Sequence, residues 1–169
     1  RISETYRLIL FLLIAMIVMD AHPLSAMMII LIAVLNDIPI MMTAYDNMET
    51  APHPVRWNMK EVMAVAIGIA VVNVVSTFGL YWIANRYWGF DHAQCSTLVY
   101  FAILCGGNLT IYLTRNRGYL FDKPLPQYKL VLATLFTQAA GTLSTAYGFG
   151  IPDFLGIGWT YTLYAWIYI

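Results

Sequence analysis

Apolar residues fall into six long blocks, at about residues 4–19, 24–44, 61–84, 96–114, 127–147 and 154–169, separated by short polar punctuation. Four of the blocks reach the roughly 17 to 25 residues that a helix needs to cross about 30 Å of hydrocarbon, and the first and last are a little short. The pattern predicts an all-α fold: an integral membrane bundle of six transmembrane helices, formed as one membrane domain over residues 1–169. The longest connectors, about 45–60 and 115–126, carry Pro52, Pro54, Pro124 and Pro126 and read as ordered links rather than domains. Both short blocks touch a chain end, which leads us to expect a fragment cut within membrane helices, whose missing neighbours carry part of the function.

Composition agrees with the pattern. Hydrophobic residues make up 60% of the chain and charged ones 11%, with a mean hydropathy of +0.68, which is outside the range of ordinary soluble domains. With six crossings both termini lie on one side, which receives Arg1, Arg7, Arg56, Lys60, Arg115, Arg117, Lys123 and Lys129, while the other receives only Arg86. This asymmetry predicts a multi-pass protein with both termini cytoplasmic. Trp57, Trp82, Trp88, Tyr119, Tyr128 and Trp159 fall near the expected interfaces. A net charge of zero argues against a nucleic-acid partner and leaves the lipid bilayer as the expected one. Cys95 and Cys105 are ten residues apart and His22, His53 and His92 lie in three different loops, so no metal site is expected.

The segment LNDIPIMMTAYDN, residues 35–47, places Asp37 inside an apolar run. A carboxylate at membrane depth is costly and demands a reason. Arg7 lies fifteen residues before His22, the centre of the first outer turn, and Asp37 fifteen after it, so both charges sit roughly 22 Å from that turn at about 1.5 Å per residue. The one-turn neighbours of Asp37 are Ala33, Val34, Ile40 and Met41, all apolar. Burial favours the protonated form of a carboxylic acid and a guanidinium favours the carboxylate, so a movement that changes their separation couples conformational work to proton transfer. Pro39 removes the usual helical donor to the Leu35 carbonyl and predicts a helix break beside the acid, where transport proteins place ion sites.

Asp37 is therefore the expected proton-binding group, with Arg7 as counter-charge and Asn36 as a support that positions a proton or water. Bland readings stand beside these: Asp37 as a structural acid, Arg7 paired with Glu4, and Asn36 bonded to a neighbouring helix. Asp46 reads as a cap or loop contact. Asn73, Ser76, Thr77, Asn108, Thr110, Thr134, Thr137, Gln138, Thr142 and Thr145 read as polar glue between helices, and Gly106-Gly107 and Ala139-Ala140-Gly141 as points of close approach.

The segment LNDIPIMMTAYDN, followed by PHPVRW and another apolar crossing, resembles the membrane region of plasma-membrane proton-pumping P-type ATPases, above all their prokaryotic members. TYRLIL around Arg7, NLTIYLTRNRGY at the end of the fourth block and WTYTLYAWIY at the chain's end extend the likeness over essentially all 169 residues. The resemblance implies that the six crossings are the last six helices of a ten-helix transport domain. It also implies that Asp37 is the proton acceptor and donor and Arg7 its positive partner. The parent would use ATP and magnesium in cytoplasmic domains, absent here along with the first four membrane helices.

No Asp-Lys-Thr-Gly phosphorylation motif occurs in the chain, which is expected to contain no catalytic residue, to bind no cofactor and not to hydrolyse ATP alone. The alternatives are a P-type pump for another cation, a secondary transporter or channel, and a membrane anchor subunit. A metal cage gathers several oxygen ligands, whereas Asp37 stands nearly alone. No repeat relates the two halves, as many secondary transporters would require.

Overall fold

The computed structural model describes residues 2–19, 23–46, 58–115, 126–151 and 154–169. Most of both long connectors, with His22, His53, Arg1, Arg56, Arg117 and Lys123, lies outside the described residues.

Helix α1 spans Ile2–Met19. Ser25 then adopts an extended conformation and its hydroxyl accepts the Met28 N–H at 3.4 Å, which starts α2 at Ala26–Met42. Helix α3, Met59–Ile83, winds into a wider π turn over Ala84–Trp88 and stops at Gly89, whose φ of 62° belongs to the left-handed region that ends helices. Helices α4, His92–Arg115, and α5, Tyr128–Tyr147, complete the long elements.

Three helical stretches, Ala26–Tyr45, Met59–Trp88 and His92–Arg115, are long and apolar enough to cross a membrane. They correspond to the second, third and fourth expected crossings, and they mark a membrane protein. Helix α5 dilutes its apolar run with Thr134, Thr137, Gln138, Thr142, Ser144 and Thr145. Within the last expected crossing, Phe154 and Leu155 form a strand, and helix α6 covers Gly158–Tyr168.

The cause is local. Gly148, at φ 67°, turns the chain out of α5 into strand β1, Gly148–Ile151, which pairs antiparallel with β2, Phe154–Leu155. The ribbon is tied to α4, since the Thr97 hydroxyl donates to the Leu155 carbonyl at 2.9 Å and the Tyr100 ring meets Phe154 edge-on at 5.1 Å. The fold is thus helical with one two-stranded ribbon at a helix end.

Helix α4 is the axis of the bundle. Every residue from Cys95 to Asn108 is buried, and α4 contacts α2, α3, α5 and α6. An element apolar all round is stable only when surrounded. Helix α1 packs on α3, with Phe11 and Phe78 ring centroids 5.0 Å apart. On the outside, Ile17, Ile30, Val72, Phe136 and Ile167 are exposed, an apolar exterior that suits lipid rather than water.

Candidate functional site

The site begins with two residues that have no side chain. At Gly106 on α4, an added Cβ would collide with Asn73 Oδ1 and lie 3.0 Å from Arg7 Nη1. At Gly107 it would lie 2.7 Å from Asn36 Nδ2 and 3.0 Å from Arg7 Nη2. Three polar side chains, from α1, α2 and α3, therefore rest directly on the backbone of α4. Arg7 is 2% exposed and Asn36 1%, as deep as the apolar core.

Arg7 pairs with Glu4, one turn earlier, at 3.9 Å between Nη2 and Oε1. Asn36 Nδ2 donates to the same Glu4 oxygen, so one carboxylate oxygen joins α1 to α2. Arg7 Nε and Nη2 and Asn36 Oδ1 are buried without a hydrogen-bond partner. Orphaned polar atoms of this kind cost free energy that a purely structural interior avoids. A cavity of roughly 50 Å³ adjoins them, lined by Ser3, Glu4, Arg7, Ile40, Gly107, Thr110, Ile111 and Thr114. A single water needs at least about 10 to 15 Å³ by this measure, so the cavity has room for a few.

Asp37 occupies a different flank. The buried stripe of α2 runs through Met28, Ile32, Leu35, Asn36 and Pro39, and Asp37 lies off it, half-buried, with Ala33, Val34 and Met41 exposed around it. The structure therefore brings Arg7 and Asn36 together, while the ion pair of Arg7 is made with Glu4. Pro39, where the sequence leads us to expect a break, is buried inside the helix. Helix α2 runs on through Pro39 to Met42, and its winding tightens to a 3-10 turn only over Thr43–Tyr45, where the Thr43 N–H and hydroxyl both bond to the Ile40 carbonyl.

A second charged contact was not foreseen as a pair. Arg115, at the end of α4, forms a salt bridge with Asp46 just after α2, through Nε to Oδ2 and through Nη2 to Oδ1 at 3.3 Å. Asp46 Oδ1 also accepts the Gln127 N–H at 2.9 Å, at the start of α5. One carboxylate thus gathers three helix ends, and both side chains are nearly fully buried, at 5% and 3% exposure. The signal in the sequence was two opposite charges at the same expected membrane boundary, 69 residues apart.

Between α4 and α5 the polar residues form a ladder: Tyr100 with Ser144 at 3.2 Å, Cys105 to Gln138 at 3.1 Å, Asn108 to Thr137 at 3.2 Å and Tyr112 with Thr134 at 2.5 Å. Asn108, Thr134, Thr137 and Gln138 were read from the sequence as glue, and Tyr100, Cys105, Tyr112 and Ser144 are their partners or join them.

No protein-family profile matches the chain. Over 168 residues, 99% of its length, the chain is 34% identical to a protein of Methanocaldococcus jannaschii named "Putative cation-transporting ATPase". The chain spans about 20% of that relative's length. Sequence and structure together therefore describe a membrane protein similar to one fifth of a protein named as a cation-transporting ATPase.

Proposed function

We propose that this chain is the C-terminal membrane part of a P-type ATPase that exports protons, and that Asp37 takes up and releases the transported proton. On this reading its helices are the last six of ten crossings, the termini face the cytoplasm, and the protein resides in the plasma membrane. ATP and magnesium act in cytoplasmic domains outside these residues, and the first four membrane helices complete the transport domain. The observation that carries the reading is the ionisable Asp37 on an apolar helix, immediately after Asn36, which belongs to a buried cluster with Arg7 and Glu4. An intramembrane charge is expensive and is kept where it conducts ions.

A proton is favoured over a metal ion because Ala33, Val34, Ile40 and Met41 surround Asp37 along its helix and none offers a side-chain oxygen. Arg7 supplies positive charge at the cluster, and Asn36 links it to α2. Moving one charge outward against the membrane potential requires about 2.3 kcal/mol per 100 mV, which ATP hydrolysis would provide. The relative's name covers any cation, so a pump for another cation is the second reading. The test is ATP-driven acidification of sealed vesicles carrying the complete protein, in buffers that hold a single inert cation. Acidification that persists when sodium, potassium and calcium are exchanged supports the proton. A strict need for one of those cations contradicts it.

A further inference from the structure

We propose that Glu4 is a second proton-exchanging carboxylate, working in a hydrated chamber between the Arg7 cluster and the nearer end of α4. The inference rests on the transport reading above and deepens it, because it assigns a role to a residue that reading does not use.

Three observations converge on Glu4. It is the acceptor that Arg7 and Asn36 share, so its charge determines whether the guanidinium has an ionic partner. It lines the cavity together with Ser3, Thr110 and Thr114. Arg7 also lines that cavity, and its Nε and Nη2 lack a hydrogen-bond partner, a need that water in a space of roughly 50 Å³ satisfies. The cavity extends along α4 from Gly107 to Thr114, one residue before Arg115 at the helix end, which places its far side toward the Asp46–Arg115 joint.

The step is simple to balance. A proton from cavity water adds to a Glu4 carboxylate oxygen, neutralising it, and the Arg7 guanidinium keeps its charge while losing its ionic partner; the reverse step returns the proton to water. Protonation of Glu4 releases Arg7 to act elsewhere in the cluster, and deprotonation recaptures it. The groups that bear on Glu4 are Arg7 on its own helix and Asn36 on α2; Arg7 in turn faces the Cys105 thiol on α4, and Asn73 from α3 reaches the same glycine floor. Among these, Arg7 is the cation at ion-pair distance.

The test uses the complete protein. Glu4→Gln keeps an oxygen for Asn36 and removes the titration, and Glu4→Asp keeps the titration. Infrared difference spectra recorded across a pH titration read carboxylic acid groups directly. One carboxyl band present in wild type, Glu4→Asp and Asp37→Asn, and lost in Glu4→Gln, is the expected result. Alongside it, the cytoplasmic pH giving half-maximal transport moves by about one unit or more in Glu4→Gln, since removing a charge beside a guanidinium changes the electrostatics by that order. Identical carboxyl bands in wild type and Glu4→Gln overturn the proposal, as does a Glu4→Gln protein with lower activity and an unmoved pH profile, the outcome of a purely structural role. Normal transport by Asp37→Asn would sink the assignment of Asp37 in the reading above and leave the Glu4 band where it is, so the two failures are distinguishable.

Discussion

Two polar regions meet the central helix on different sides and are built on opposite rules. Toward α5, α4 presents neutral groups in matched pairs, Tyr100 with Ser144 through Tyr112 with Thr134. Toward α1, α2 and α3 it presents bare glycine backbone to Arg7, Asn36 and Asn73, with Glu4 bound to the first two, and leaves several of the cluster's polar atoms unmatched. The neutral ladder holds helices together without a charged group, and of its buried side-chain atoms Asn108 Oδ1 is left without a hydrogen-bond partner among the described residues. A charged cluster with orphan donors beside a cavity can change its charge or its water, and that is the difference between a seam and a site.

The largest expected effect lies at Asp37, where Asp37→Asn removes proton binding and should abolish ATP-driven transport by the complete protein. Next is the Asp46–Arg115 joint. Arg115→Ala leaves Asp46 as a buried carboxylate without its cation, an arrangement that costs about 3 to 5 kcal/mol. The expected outcome is a steep fall in thermal stability in detergent, and an unchanged melting profile would show that the joint holds nothing. Gly107→Ala tests the glycine floor: a methyl group 2.7 Å from Asn36 Nδ2 must push the cluster apart, so transport should fall severalfold while the protein still inserts. Thr137→Val, in the ladder, removes one hydrogen bond worth about 0.6 kcal/mol on average between membrane helices, and should leave transport within error of wild type. A severe transport defect in Thr137→Val, with Gly107→Ala unaffected, would reverse the contrast between the two regions.

The long apolar helices were legible because lipid imposes one requirement on both length and composition, and 26–45, 59–88 and 92–115 meet it. The end of the chain was not. The segment from Phe154 is apolar enough to read as the start of a helix, yet it begins with a strand at Phe154–Leu155 and passes Gly158 at φ 79°, and hydropathy does not register that. The acid at Asp37 was visible because it interrupts an apolar run. Its rotation about α2 was not visible from depth: a single residue step of about 100° separates Asn36, turned into the core, from the half-buried Asp37 beside it. The partnership of Arg7 and Glu4 was among the readings considered, since residues three apart share a helix face. What sequence lacked was the shape of α4, whose two glycines let three helices deliver polar groups to one point.

The most direct measurement is ATP-driven proton flux into sealed vesicles by the complete protein, wild type against Asp37→Asn, with equal membrane insertion verified for both. Loss of flux in the variant is the predicted result. Undiminished acidification by Asp37→Asn would contradict the assignment of Asp37 as the transported proton's binding group.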